Sequence, residues 1–235
     1  MKTLRVFSLG ILLAALFFVV PHASAHRPGW GSETGQTHIE NLSTSFAFYR
    51  DLKPASQVDV YVFEGKAGEH LHAGIQIPAI RGLELYGVTM ALFGPGLPEP
   101  DEAALPAQHP EGLGASLFPS APGEDFFEPF TQTNYWGRQR IEMDLPASGT
   151  YYLLVWNPQG LPGKYVMDTG EAEVFGAMDI FRFPVWWLQV HTFYGQGPVM
   201  LAIASLLAAA AALAAGAVIL ARRPKPALVP VRVKA

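Results

Sequence analysis

Residues 145–168, LPASGTYYLLVWNPQGLPGKYVMD, decide the fold of this chain. Residues 151–156 are apolar at both alternating sets of positions, which is typical of a central strand covered on both faces. Turn-forming residues follow at 157–160, and the chain resumes an alternating pattern at 164–168. The stretch therefore predicts two antiparallel strands joined by a tight turn.

Five more short segments have strand character. The clearest is QVDVYVF at 57–63, where Val58, Val60 and Val62 share one face of the pleat. The others lie at 45–49, 71–77, 87–93 and 140–145. Seven short strands separated by turns predict an all-β fold, an antiparallel, jelly-roll-like β-sandwich over residues 39–173.

The stretch that begins at Leu145 resembles the closing hairpin of bacterial pre-peptidase C-terminal domains. The family pattern "aGtYyl.V" is matched by GTYYLLV, and "g..g.Y.l" by GLPGKYVM. The segments QVDVYVFEGKAGEHLHAGI and GVTMALFGPG also resemble the family's opening strands. The resemblance implies an accessory β-sandwich, and it carries no catalytic residues.

Two regions between residues 26 and 173 lack a strand pattern. Residues 26–38 are rich in Gly, Pro and Ser and are predicted to be a flexible leader. Residues 97–130 are dense in proline, glycine and acid, a composition that disfavours helices and central strands. We expect this insertion to be a surface excursion, with a spacer role favoured over a functional one.

The N-terminus has the pattern of a secretory signal. Lys2 and Arg5 precede an apolar run at 6–20, and Ala23-Ser24-Ala25 supplies the small residues of a cleavage site. The apolar run is shorter than the roughly 20 residues that span a bilayer. We therefore expect residues 1–25 to be removed and the mature chain to begin at His26.

The C-terminal region has the pattern of a single membrane anchor. Residues 198–221 contain no charge and are long enough to cross a bilayer as a helix. A basic tail follows at 222–235 and begins with Arg222 and Arg223, which places this end in the cytoplasm by the positive-inside rule. The sequence predicts a single-pass cell-membrane protein with its N-terminal domain extracytoplasmic.

Residues 174–197 form an aromatic juxtamembrane segment. Such rings prefer the membrane–water interface, and a proline suits the first turn of a helix. An interfacial helix starting near Pro184 and packing of the aromatics onto the sandwich are equally compatible with this pattern. The residues expected at the membrane interface are Trp186, Trp187, Phe193, Tyr194, Arg222 and Arg223.

Charge and composition restrict the function. All 20 acidic residues lie between Glu33 and Asp179, whereas residues 26–197 hold only nine of the 16 lysines and arginines. Such an acidic surface repels nucleic acid, and it favours cations, basic partners or neutral glycans. The chain has no cysteine, which excludes disulfides, thiol catalysis and thiolate metal sites.

Histidines are the sharpest candidates for chemistry. His70 and His72 alternate on a predicted strand and so project from one face, while His26 would gain a free amine on signal cleavage. With His38 as a further candidate, these residues predict a copper or zinc site as an alternative to a chain without a cofactor. Two acidic groups are weaker candidates for calcium: Glu99, Asp101 and Glu102, and Glu124, Asp125 and Glu128.

No catalytic motif is present in the sequence. It contains no G-x-S-x-G elbow and no H-E-x-x-H helix. We therefore expect a non-catalytic binding or interaction module, anchored in the membrane, whose partner is another envelope protein or a glycan. The alternatives are a copper- or zinc-handling protein that uses His26, His70 and His72, and an accessory subunit that docks through its transmembrane helix.

Overall fold

The computed structural model describes residues 26–32, 36–53, 57–129 and 131–221. The predicted signal peptide at 1–25 and the predicted tail at 222–235, with Arg222 and Arg223, lie outside the described residues. The chain divides into two units between Val190 and His191.

Strands dominate the first unit. Its described residues contain β1 (Arg27–Gly29), β2 (Gln36–His38), β3 (Phe46–Leu52), β4 (Val58–Gly65), β5 (His70–Pro78), β6 (Thr89–Gly94), β7 (Gly114–Phe118), β8 (Phe126–Glu128), β9 (Thr133–Asp144), β10 (Gly149–Trp156) and β11 (Gly163–Thr169). A short 3-10 helix occupies Glu102–Ala104, and two α-helices follow the strands, α1 (Asp179–Phe193) and α2 (Gly197–Ala221). Each of the seven predicted strands is confirmed.

The strands form a β-sandwich of two sheets. The six-stranded sheet has the order β1-β3-β11-β5-β9-β8, and the five-stranded sheet has the order β2-β4-β10-β6-β7. Most neighbours are antiparallel, but β1 pairs with β3 in parallel and β2 pairs with β4 in parallel. Two described segments of the predicted leader, β1 and β2, therefore complete the edges of both sheets, because β3 and β4 offer backbone hydrogen-bonding groups there.

The predicted closing hairpin is wrong in its pairing. Strand β10 pairs with β4 and β6 in one sheet, whereas β11 pairs with β3 and β5 in the other. The turn between them carries the chain across the sandwich. Asn157 builds this turn, since its side-chain oxygen accepts from the backbone N–H groups of Gln159 and Leu161 at 3.0 and 2.8 Å. A tight turn thus marks a crossover between sheets here.

The core lies between the two sheets. Alternate residues of β5 face inward, so Leu71, Ala73, Ile75 and Ile77 are all buried. They meet buried side chains of the opposite sheet, with the Tyr61 and Tyr165 hydroxyls 3.1 Å apart across the sandwich. The other face of β5 is left for polar side chains.

The 97–130 insertion covers the outer face of the five-stranded sheet. Leu105 and Leu113 pack against a second buried cluster that includes Phe93, Leu154 and Trp156. This cover explains why β10 is apolar on both faces. The insertion also contributes β7 and β8, each at the edge of a sheet, which agrees with the expectation that it forms no central strand.

Helix α1 begins earlier than the predicted start at Pro184. It begins at Asp179, and Pro184 lies inside it. The Asp179 carboxylate accepts from the backbone N–H of Gly176 at 2.8 Å, as an acidic residue near a helix N-terminus does, and forms an ion pair with Arg27 at 2.9 Å. These contacts start the helix five residues before the proline. Arg27 also lies over the Trp186 ring, 5.6 Å from its centroid.

Helix α2 in the second unit is apolar throughout. Residues Gly197–Ile219 form one helix long and apolar enough to cross a membrane, judged by length and composition. Its most apolar 18-residue window contains no residue that is buried against protein. Its hydroxyl at Ser205 donates to the Leu201 carbonyl at 2.8 Å, which satisfies this polar group inside the helix.

Candidate functional site: an acidic cavity on the six-stranded sheet

The outer face of the six-stranded sheet is polar along three neighbouring strands. The inward residues of β5 fill the core, so the intervening residues His70, His72 and Gln76 point outward. Strand β9 pairs His72 with Glu142, and β11 pairs Gly74 with Asp168. The same pleat that builds the core therefore collects charged groups on the opposite surface.

Five of these side chains form a continuous carboxylate–histidine row: Asp144, His70, Glu142, His72 and Asp168. His70 lies 3.0 Å from Asp144 through Nδ1 and 3.2 Å from Glu142 through Nε2. His72 lies 2.7 Å from Glu142 through Nδ1 and 3.0 Å from Asp168 through Nε2. Each imidazole thus bridges two carboxylates, and Glu142 is shared by both histidines.

The row runs from solvent into the protein. The Asp144 side chain is 71% exposed and that of His70 is 51% exposed, whereas His72 is 10% and Asp168 only 8% exposed. Interactions at the inner end act in a less polar medium and are screened less by salt. Most of the contribution of the row to stability therefore comes from the His72–Asp168 pair.

Protonation follows from these contacts. The hydrogen bond to Asp168 raises the pKa of His72 above its ordinary value, and the bonds to Asp144 and Glu142 raise the pKa of His70. Burial alone would raise the pKa of Asp168, but the bond from His72 and nearby positive charges hold it below its ordinary value. An imidazolium can donate from both nitrogens, so the charged form of His72 fits its two carboxylate partners.

A cavity of about 530 Å³ opens beside the inner end of the row. Residues of β1, β3, β5, β8, β9 and β11 line it, with the segment that precedes β1 and the one that precedes β8. Its ionisable lining groups are Glu124, Asp125, Glu128, Asp168, Glu171, Arg140, His26 and His72. Five carboxylates face one guanidinium and two imidazoles. This cavity on the six-stranded sheet, the sheet cavity, therefore favours positive charge.

Among the residues that the structure describes, two buried oxygen acceptors of this lining have no hydrogen-bond partner. They are Asp168 Oδ1 and Gln76 Oε1. Asp168 itself is only 5% exposed, and a buried acceptor without a partner costs free energy. Gly74 makes room for the carboxylate, because a Cβ at that position would lie 2.7 Å from Asp168 Oδ1.

A hydrogen-bonded wall holds one side of the cavity in place. The Tyr49 and Tyr135 hydroxyls lie 3.3 Å apart, and Thr133 donates to Tyr135 at 3.1 Å. Thr131 continues this chain to Thr133 at 2.7 Å and also donates to the buried Glu128 carboxylate. The wall is therefore a set of mutually fixed groups that preorganise the cavity.

The structure brings together part of the predicted histidine site. His26 and His72 line the same cavity, whereas His70 is absent from its lining and His38 lies on β2 of the other sheet. Among the residues that the structure describes, no three His, Cys, Asp or Glu side chains are grouped to hold a metal ion. Both nitrogens of His72 already contact carboxylates.

The two acidic groups singled out in the sequence have different surroundings. Glu124, Asp125 and Glu128 all line the sheet cavity. In the other group, Asp101 caps the short 3-10 helix by accepting from the Ala103 N–H, and Glu102 lies 3.0 Å from His109. Asp101 and Glu102 therefore support local structure.

Sequence reasoning missed the residues that carry the site, namely Asp168, Gln76 and Tyr49. The sequence KYVMD at 164–168 holds a weak signal for Asp168, because its alternation places the aspartate on the outward face of the strand. That signal says nothing about which strand lies alongside. Only the order β11-β5-β9 places Asp168 next to His72.

The predicted membrane-interface aromatics lie on or just after helix α1. Trp186 and Trp187 are half-buried in the first unit, and Phe193 and Tyr194 are half-buried in the second. The more exposed apolar residues lie upstream, with Met178 66% and Phe181 72% exposed. The segment thus combines partial packing with exposed apolar surface.

Fold and site define the class of protein as a β-sandwich with an acidic cavity on one sheet. No protein-family model matches the chain, and the search of curated proteins finds no match. Solved structures of similar fold include the pre-peptidase C-terminal domain of collagenase from Bacillus anthracis. That match has 15% identity, covers 58% of this chain and 96% of that one, and has a TM-score of 0.32.

Two further structures show the same level of similarity. The periplasmic g-type lysozyme inhibitor PliG of Salmonella Typhimurium is 18% identical over 57% of this chain and 96% of its own, with a TM-score of 0.32. The surface-associated copper-binding protein CorA of Methylomicrobium album BG8 is 9% identical over 59% and 98%, with a TM-score of 0.33. The similarity concerns the sandwich alone. One of these structures is a pre-peptidase C-terminal domain, the family that the 145–168 stretch resembles.

Proposed function

We propose that this chain is a non-catalytic binding module that is held at the outer face of a membrane by helix α2 and takes its ligand in the sheet cavity. The observation that carries the proposal is the pair of unpartnered acceptors, Asp168 Oδ1 and Gln76 Oε1, in the lining of a preformed cavity. Concave sites with a few convergent polar groups are where proteins bind small ligands and side chains.

The location of the module is supported by its two ends. A signal pattern precedes His26, and an apolar helix is followed by basic residues from Arg222 onward. If the signal sequence directs export and helix α2 stays in the membrane, the sandwich lies outside the cytoplasm. Helix α2 would then tether the module to the membrane.

A binding role fits the chemistry of the row better than catalysis. A general base needs a nitrogen or oxygen that can accept a proton from the substrate. Both nitrogens of His72 are held by carboxylates at 2.7 and 3.0 Å. The imidazole nearest the cavity is thus occupied on both sides and serves to orient Asp168.

A thermal-shift screen of the full chain in lipid nanodiscs tests the proposal. Basic peptides, acidic peptides and neutral glycans are compared on wild type, on Ala47→Leu, which places a larger side chain in the cavity, and on the exposed control Ala79→Leu. We expect at least one class to raise the Tm of wild type and of the control but not of Ala47→Leu. No shift with any class, or equal shifts in all three proteins, would contradict a ligand site in the cavity.

A copper- or zinc-binding role is the second candidate, and one observation favours it. His26 and His72 line one cavity, and removal of residues 1–25 would add the amine of His26 as a further nitrogen ligand. Metal analysis of the processed chain, purified with and without added copper or zinc, tests this role. A stoichiometric metal that is lost on His72→Gln would support it, and a metal-free protein under both conditions would remove it.

A further inference from the structure

We infer that the ligand of the sheet cavity is a primary alkylammonium group, recognised by Asp168 and Gln76. This inference rests on the proposed binding function and names the chemistry that the cavity selects. Both unpartnered atoms, Asp168 Oδ1 and Gln76 Oε1, are hydrogen-bond acceptors. Their ligand must therefore be a donor.

The two acceptors are placed to bind one group. Strand β11 pairs Val166 with Gln76 and Asp168 with Gly74, so Gln76 and Asp168 are diagonal neighbours on the same face of the sheet. Diagonal neighbours lie about 7 Å apart, which lets two side chains converge on one atom between them. A donor with several N–H groups on one nitrogen meets this requirement.

The charge of the lining selects a cation. The rim carboxylates Glu124, Asp125 and Glu171 are exposed, and Arg140 is the guanidinium of the described lining. A cleft with an excess of one sign raises the local concentration of ligands of the opposite sign. A neutral amide or hydroxyl would satisfy the acceptors but would gain nothing from this field.

The geometry of Asp168 distinguishes an ammonium from a guanidinium. A guanidinium binds a carboxylate best through two parallel hydrogen bonds, one to each oxygen. Asp168 Oδ2 already contacts His72 Nε2 at 3.0 Å, which leaves only Oδ1 for a ligand. A single oxygen suits an ammonium, which is a point charge with three independent donors.

The walls of the cavity suit an alkyl stem. Phe126 and Tyr135 stack with their ring centroids 6.2 Å apart, and Trp30 stacks on Tyr49 at 5.1 Å. Phe126, Tyr135 and Tyr49 all line the cavity. Aromatic rings pack against methylene groups, and their faces attract a positive charge. An ammonium at the end of a short hydrocarbon chain therefore matches the acceptors, the charge and the walls.

Calorimetric titration of the full chain in nanodiscs tests the inference with three matched probes. Nα-acetyl-lysine amide, Nα-acetyl-arginine amide and Nα-acetyl-norleucine amide differ only in the side-chain terminus. We expect the lysine probe to bind at least about tenfold more tightly than either of the others. Equal affinity for the arginine or the norleucine probe would overturn the inference.

Variants locate the binding at the two acceptors. Gln76→Leu removes one acceptor at similar volume, and we expect it to lower the affinity for the lysine probe about tenfold. Asp168→Asn should lower this affinity more strongly. Circular dichroism and Tm show whether each variant is folded. Asp144→Asn, at the exposed end of the row, should leave the affinity unchanged. An unchanged affinity in a folded Gln76→Leu protein would overturn the assignment.

The source of the ammonium is distinguished by two further probes, 1,5-diaminopentane and an acetyl-Gly-Lys-Gly amide peptide. Tighter binding of the diamine would identify a free small amine, and tighter binding of the peptide would identify a lysine side chain of a protein. Should a neutral or acidic probe bind instead, with loss of binding in Ala47→Leu, the binding function would stand and the ammonium inference would fall. Should no probe bind, both would fall.

Discussion

His72 Nε2 lies 3.0 Å from Asp168 Oδ2 at the inner end of the carboxylate–histidine row. The two residues sit on adjacent strands, β5 and β11, and both are nearly inaccessible to solvent. Their contact fixes one oxygen of Asp168 and leaves the other, Oδ1, without a partner. The pair is therefore both a structural element of the sheet and the support of the proposed binding site.

Removing His72 should destabilise the sandwich. His72→Gln leaves the Asp168 carboxylate buried without its charged partner, and breaking a buried pair on one side costs about 3 kcal/mol. His70→Gln is the matched control, because His70 makes the same kind of contacts at the exposed end of the row. Urea unfolding should show a clear loss for His72→Gln and a nearly unchanged midpoint for His70→Gln. Equal losses in the two variants would contradict a buried role for His72.

The same pair predicts how stability depends on pH. The folded-state pKa of His72 is raised, so its contribution is complete below the ordinary value of about 6.5 and is lost as pH rises through the raised pKa. The folded-state pKa of Asp168 is lowered, so its contribution is present above about 3.9 and is lost as pH falls through the lowered pKa.

The difference in Tm between wild type and His72→Gln should therefore be largest between about pH 4 and 6.5. It should shrink as the solution becomes more alkaline and again as it becomes strongly acidic. Thermal unfolding across this pH range measures it. A difference that is constant from acid to alkaline pH would show that the pair is not ionised in the folded protein.

A second buried ion pair connects the two sheets near the leader. Arg50 contacts the Asp59 carboxylate through two hydrogen bonds of 2.6 and 2.8 Å, and Tyr165 donates to the same carboxylate at 2.6 Å. Asp59→Asn should cost about 3 kcal/mol, because Arg50 would remain buried without a counter-charge. In a double-mutant cycle, Arg50→Met with Asp59→Leu should be less destabilised than the sum of the two single changes. Simple additivity would contradict the coupling.

Gly94 is predicted to be needed for stability because a larger side chain does not fit there. A Cβ at Gly94 would lie 2.1 Å from the ring of the buried Tyr151, whose hydroxyl is held by the Pro95 and Ala147 carbonyls at 3.0 and 2.8 Å. Gly94→Ala should therefore cost about 1–3 kcal/mol. Gly176→Ala, where a Cβ would make only an ordinary contact at 3.7 Å, should cost less than about 1 kcal/mol. Chemical unfolding of the two variants compares them, and similar losses would count against this packing.

Strands were predictable wherever the alternation of side chains was long enough to read. Residues 57–63 become β4 and residues 151–156 become β10, because their apolar positions follow the pleat. The three-residue strands β1 and β2 have no such pattern of their own and exist because β3 and β4 offer them hydrogen-bonding edges. Local sequence does not report a partner strand that is distant along the chain.

The site was only partly predictable for the same reason. Alternation placed His70 and His72 on one face of β5, as the structure has them. It could not reveal that Glu142 and Asp168 flank them, since that depends on the register of β9 and β11. The turn after Trp156 has the residues of a hairpin turn but carries the chain to the other sheet, because turn chemistry alone does not specify which sheet receives the next strand.

The account rests on the sandwich lying outside the cytoplasm. The natural chain has no cysteine, so single cysteines can be labelled without background. Leu85 is fully exposed on the sandwich, and Ala235 lies in the basic segment that follows the apolar helix in the sequence. With a membrane-impermeant maleimide on spheroplasts, we expect Leu85→Cys to be labelled before lysis and Ala235→Cys only after lysis. Labelling of Ala235→Cys in sealed spheroplasts, with Leu85→Cys protected until lysis, would contradict the account.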